Sequence, residues 1–155
     1  MGQFKFSAHL EEMEREADGA MKIIFYRAST GNLFDKLVSK IDGGIYSHVE
    51  IVVSETDTHW VTIGSSNRDG GVRIGYLRKS DHWDIVQIGQ DLEGGTTYIG
   101  HGYDWIGLLT TVWSWWPNCK NRWVCSAFVA KLAGLPSPKE WGVQDIFEWA
   151  ITNGA

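Results

Sequence analysis

The chain has 155 residues, 43% of them hydrophobic and 21% charged, which is the composition of one ordinary globular domain. Its formal charge is −5 and its pI is near 5.5, so no long-range field steers it toward nucleic acid or anionic lipid. No apolar run approaches the roughly 20 residues a membrane span needs, and the opening "MGQFKFSAHLEEMEREADGA" lacks the apolar stretch of a signal peptide; a cytoplasmic protein without a membrane anchor is expected.

Residues 1–20 read as an N-terminal amphipathic helix or extension, because Phe6, Leu10, Met13 and Ala17 recur at helical spacing before Gly19. The domain proper then spans 21–155. "KIIFYRA" is a strand by composition and shortness. In "STGNLFDKLVSKID", Ser29 or Thr30 is a candidate N-cap, and Leu33, Phe34, Leu37, Val38 and Ile41 share one face. That predicts a helix ended by Gly43-Gly44. "YSHVEIVVS" and "HWVTIGSS", joined by "TDT", predict an antiparallel hairpin. "NRDGG" is a turn whose glycines supply positive φ. "VRIGYL" and "WDIVQIG" are two further strands.

"YDWIGLLTTVWSWW" predicts a buried helix stopped by Pro117, with Asp104 as its cap. It carries most of the tryptophan cluster between Trp105 and Trp123, read as a core built with bulky aromatics. "VCSAFVAKLAGL" predicts a second helix, ended near Gly134. "GVQDIFEWAITN" predicts a closing helix with Asp145 near its start. This order argues for an α+β domain with helices on one face of an antiparallel sheet.

The chain has only two cysteines, Cys119 and Cys125, and its five histidines are scattered. Neither a disulfide framework nor a metal or other cofactor is expected. Cys119 reads as a bystander in a loop. Cys125 stands at the start of a predicted helix, where free backbone N–H groups favour a thiolate and could hold an oxyanion. His48 is the best-placed imidazole. It shares a strand face with residues 50 and 52, and it meets Cys125 if that face packs on the cysteine helix. Without such a meeting, a lone cysteine on an apolar helix is ordinary core. Arg68, Asp69 and Arg73 could bind a substrate carboxylate, or could build the turn through an Asp–Arg pair; the structural role is favoured.

Four stretches in order, "GIYSHVEIVV", "SSNRDGGVR", "GHGYDWIGLL" and "RWVCSAFVA", resemble the circularly permuted branch of the NlpC-type papain-like cysteine peptidase and amidase superfamily. The stretch "SSNRDGGVR" resembles a signature of small phage-encoded members. The resemblance covers roughly residues 22 to 150. It implies a papain-like antiparallel sheet packed against the cysteine helix, with Cys125 as nucleophile and His48 as base. The third polar residue, which orients the imidazole, usually lies on the strand after the histidine. His59, Thr62, Ser65 and Ser66 are the candidates, and a one-residue slip of register exchanges them between faces. Glu50 is a further possibility, since it shares the face of His48, but a same-strand neighbour is awkwardly placed to reach the ring. Tyr46, Trp123 and Arg68 are candidate substrate contacts. The chain departs from the pattern at Ala127, where relatives often carry an acid.

The resemblance implies a cysteine hydrolase acting on an amide bond, such as one in a cell-wall peptide, in the bacterial host cytoplasm or associated with a virion. A lipid acyltransferase or thioesterase of the same branch is the alternative chemistry. A non-catalytic papain-like binding module is the third reading.

Overall fold

A computed structural model describes residues 21–89, 95–104 and 122–154. The expected N-terminal helix, the expected helix from Trp105 onward, Cys119, and every tryptophan of that cluster except Trp123 lie outside the described residues. The described elements are β1 (Met21–Arg27), α1 (Leu33–Asp42), β2 (Tyr46–Glu55), β3 (His59–Ser66), β4 (Gly71–Arg78), β5 (Trp83–Ile88), β6 (Gly102–Tyr103), β7 (Arg122–Trp123), α2 (Cys125–Leu132) and α3 (Val143–Thr152). The protein is thus α+β. The strands form one sheet in the order β5-β1-β2-β3-β4-β6-β7. The first six are antiparallel, and β7 adds parallel to β6.

Strand alternation divides the sheet into two faces. On one, Ile23, Phe25, Val49, Ile51 and Ile63 pack with Phe128 and Val129 of α2 and Ile146 and Ala150 of α3. Fully burying a side chain such as Phe128 contributes about 1.5–3 kcal/mol. The other face carries Ile24, Val52 and Trp60, with Leu77 and Trp83 against them.

A bulge in β2 sets which residues reach which face. Tyr26 pairs with His48 while the next residue, Arg27, pairs with Tyr46, so Ser47 is the extra residue. Tyr46 and Val49 consequently both reach the helix-covered core. His48 and Glu50 share the face of Val52, on the other side of the sheet. The body of α2 therefore does not pack on the His48 face, as the sequence expectation required.

The first helix also departs from expectation. Ser29 and Thr30 lie in a separate 3-10 turn. The cap is Asn32, whose Oδ1 accepts the Asp35 N–H at 3.1 Å while Asp35 Oδ2 accepts the Asn32 N–H at 2.9 Å. Val38 is buried, but Leu33 is 85% and Leu37 54% exposed, so the apolar face is only partly covered. Gly43, at φ +71°, ends the helix.

A carboxylate from α1 also caps α3. Asp42 Oδ2 accepts the Gln144 N–H at 2.8 Å, and burial pushes the Asp42 carboxyl pKa up. Gly142 leaves room for this, since a Cβ there would stand 1.7 Å from Asp42 Oδ1. Asp145 completes the cap by accepting the Gly142 N–H at 2.9 Å.

Candidate active site

Cys125 is the first residue of α2, and it is 6% exposed. Val124 before it is extended, and the first helical bond runs from the Phe128 N–H to the Val124 carbonyl at 3.0 Å. The N–H groups of Cys125, Ser126 and Ala127 therefore have no carbonyl partner within the helix. The approach to Cys125 is pinned on two sides. Ser65 Oγ donates to the Trp123 carbonyl, tying the β7 segment to β3. The Lys139 ammonium sits 5.3 Å from the Trp123 ring centroid and 3.0 Å from Asp104 Oδ2.

His48 is half-buried near the start of β2 and lines the same cavity as Cys125, whose proximity raises the imidazole pKa. Its Nε2 lies 2.7 Å from Glu50 Oε1. Occupation of Nε2 leaves Nδ1 to exchange a proton with the thiol. The two meet where the N-terminus of α2 reaches the sheet, not along the flank of the helix.

Glu50 is 1% exposed, and a buried carboxylate is stable only when fully bonded. It has three donors: His48 on Oε1, Arg73 Nη2 also on Oε1 at 2.7 Å, and Thr62 Oγ1 on Oε2. Arg73 in turn donates from Nε to Asp69 Oδ2 at 2.8 Å. Two strand glycines make the space. A Cβ on Gly64 would stand 2.9 Å from Glu50 Cγ, and one on Gly75 would stand 2.6 Å from Thr62 Oγ1 and 3.1 Å from Arg73 Nη1.

The electrostatics follow from these contacts. Burial alone would lower the His48 pKa, but Cys125 and Glu50 outweigh it and raise it to about 10. Burial alone would raise the Glu50 pKa, but His48 and Arg73 outweigh it and lower it to about 2. Arg73 is raised above its ordinary value by Glu50 and Asp69 in spite of burial. The result is a line of alternating charge from His48 through Glu50 and Arg73 to Asp69. Burial, with Cys125 and Asp104 nearby, pushes the Tyr103 phenol up, so it remains a protonated group beside the thiol.

Cys125, His48 and Glu50 line a cavity of about 370 Å³. Arg68 and Ser66 are also on its wall, and Arg68 makes no ion pair among the described residues. The other expected site residues lie elsewhere. Tyr46 is buried in the core, where its hydroxyl donates to Asp84 Oδ2 at 2.6 Å, and it is not on the cavity wall. Trp123 packs edge-on against Tyr98 and is not on the cavity wall. Among the four candidates for the third polar position, His59 stacks on Tyr76, Thr62 bonds Glu50, Ser65 bonds the Trp123 carbonyl, and Ser66 reaches Asp69. The ring partner of His48 is Glu50. The Asp69–Arg73 pair is present, and it extends inward to Glu50 rather than ending at the turn. Among the described residues, no group of three or more His, Cys, Asp or Glu side chains is placed to hold a metal ion, and no helix is long and apolar enough to cross a membrane.

No protein-family model matches the chain, and no curated protein matches it.

Proposed function

We propose that the protein is a cysteine hydrolase of permuted papain-like type, cleaving an amide bond through Cys125, His48 and Glu50. One observation carries this: a thiol at a helix N-terminus shares a cavity with an imidazole whose Nε2 is held by a buried carboxylate with three donors. Glu50 supplies what the serine and threonine candidates on β3 lack, a full negative charge facing the imidazolium.

In the reaction, Cys125 Sγ adds to the acyl carbon, and the N–H groups at the start of α2 receive the oxyanion. The C–N bond then breaks, its electron pair stays on nitrogen, and the His48 imidazolium protonates the departing amine. Water adds to the thioester, giving a proton back to His48. The thiol and a carboxylic acid are released. Peptides, including those of the bacterial cell wall, are the substrate class that the sequence resemblance suggests.

The test is alkylation of Cys125 by iodoacetamide at a series of pH values, in the wild type and in His48→Ala, read by peptide mass spectrometry. Fast alkylation at neutral pH that falls at least about tenfold in the variant supports the pair. Slow alkylation indifferent to His48 overturns it and favours the binding-module alternative.

A further inference from the structure

The wall of the cavity beside His48 is aromatic, and the ladder explains why. Tyr26 of β1 pairs with His48 of β2 on one side and with Trp83 of β5 on the other. The three side chains therefore form one row across three strands and share one face. The Trp83 ring reaches along this row. Its centroid is 5.0 Å from that of Tyr26 and 6.3 Å from that of His48. Both aromatics line the cavity that holds Cys125, and both are only partly buried.

The direction of the chemistry assigns this shelf to one half of the substrate. An amide in the site has its acyl carbon at Cys125 and its carbonyl oxygen toward the amides of α2. Its nitrogen must point at His48, because His48 delivers the proton that lets the amine leave. Whatever that nitrogen carries continues past the imidazole and meets Trp83 and Tyr26. A bulky apolar group there covers aromatic surface and excludes water from the proton transfer. A cationic group would face the imidazolium.

We infer that Trp83 and Tyr26 form a leaving-group subsite that selects amides whose amine half carries an aromatic or other large uncharged apolar group. The assignment of sides rests on the thiol–imidazole reading above; the shelf itself does not.

Two isomeric neutral probes separate the halves: N-benzylacetamide carries its ring on the amine side, and N-methyl-2-phenylacetamide carries it on the acyl side. Binding is measured by ligand-observed NMR, and each probe is also tested for protection of Cys125 against iodoacetamide. N-benzylacetamide is expected to bind about fivefold or more tightly than its isomer. It should slow alkylation in proportion to occupancy. Trp83→Ala should abolish the preference, Trp83→Phe should retain much of it, and Tyr76→Ala, which removes an exposed ring outside the cavity, should leave it intact. Equal binding of the isomers, or a preference that survives in a folded Trp83→Ala, overturns the subsite. If Cys125 alkylates rapidly and depends on His48 but the isomers bind equally, the subsite alone fails. If the Trp83-dependent preference appears while Cys125 is inert to His48, the shelf stands as a binding site and the hydrolase reading fails.

Discussion

Glu50 Oε1 lies 2.7 Å from His48 Nε2 although the two residues occupy the same strand with only Val49 between them. The carboxylate is buried, with Thr62 of β3 and Arg73 of β4, the next two strands of the sheet, holding it. Two same-face side chains on one strand thus form a directed acid–base couple.

Replacement of Glu50 by Gln keeps the shape and removes the charge. Arg73 then loses its inner partner, and the imidazolium loses its counter-charge. The variant is expected to lose about 3 kcal/mol of stability, the order found when one member of a buried pair is removed. Its Cys125 alkylation rate at pH 7 is expected to fall about tenfold or more. Urea denaturation and the iodoacetamide assay read the two effects separately. A fully reactive Glu50→Gln would remove Glu50 from the mechanism.

Stability should depend on pH with a definite sign on each side. The folded pKa of His48 is raised to about 10, above its unfolded value of about 6.5. Its contribution is complete below the unfolded value and is lost as pH rises through the folded one. Glu50 is the reverse case. Its folded pKa is lowered to about 2, so its contribution is complete above about pH 4.3 and is lost as pH falls through 2. Urea midpoints should therefore be highest between about pH 5 and 6.5 and decline on both sides. In Glu50→Gln the acid limb should be shallower, and the alkaline decline should be smaller and end at lower pH, its onset staying at the unfolded histidine value. A variant profile parallel to the wild type would contradict the coupling.

Most of the sheet was legible because its strands alternate and are separated by polar turns such as "TDT" and by strong breakers such as those of "NRDGG". Cys125 and His48 were legible because each combines a reactive side chain with a recognisable local setting. The carboxylate was not. Same-face neighbours on a strand stand about 6.7 Å apart at Cα, a separation that makes Glu50 an awkward partner for the ring. A glutamate is long enough to fold back under the ring where the adjacent strands leave a hollow. The signal was present in Gly64 and Gly75, two glycines inside strands, which mark places where another group approaches closely. Tyr46 turns into the core for a related reason. The Ser47 bulge shifts the alternation, and no breaker residue announces it.

Gly75→Ala tests the hollow directly. The new methyl would stand 2.6 Å from Thr62 Oγ1 and 3.2 Å from Glu50 Oε2, so the buried carboxylate or its donors must shift. A cost of about 1–3 kcal/mol is expected, as for other overpacked interiors. Circular dichroism should remain that of the wild type while Cys125 alkylation slows. Unchanged reactivity together with unchanged stability would show that the hollow tolerates a side chain.

Gly142→Ala addresses the joint between α1 and α3. The methyl would fall 1.7 Å from Asp42 Oδ1, so the carboxylate that caps Gln144 must move away. Loss of the cap and the steric displacement together should cost about 2–4 kcal/mol. The melting temperature should drop by several degrees or more. A melting temperature within a degree of the wild type would mean that Asp42 swings away at little cost.

The tripeptide His48-Val49-Glu50 has a consequence for heredity. When a base and its orienting acid come from different strands, an insertion in either hairpin can part them. Here both ride on one stretch of backbone, so loops can lengthen, shorten or be exchanged between lineages without separating the couple. What such changes can disturb is the support brought by Arg73 and Thr62, which tunes the couple without creating it. A chain built this way can change its turns while keeping the imidazole and its carboxylate side by side.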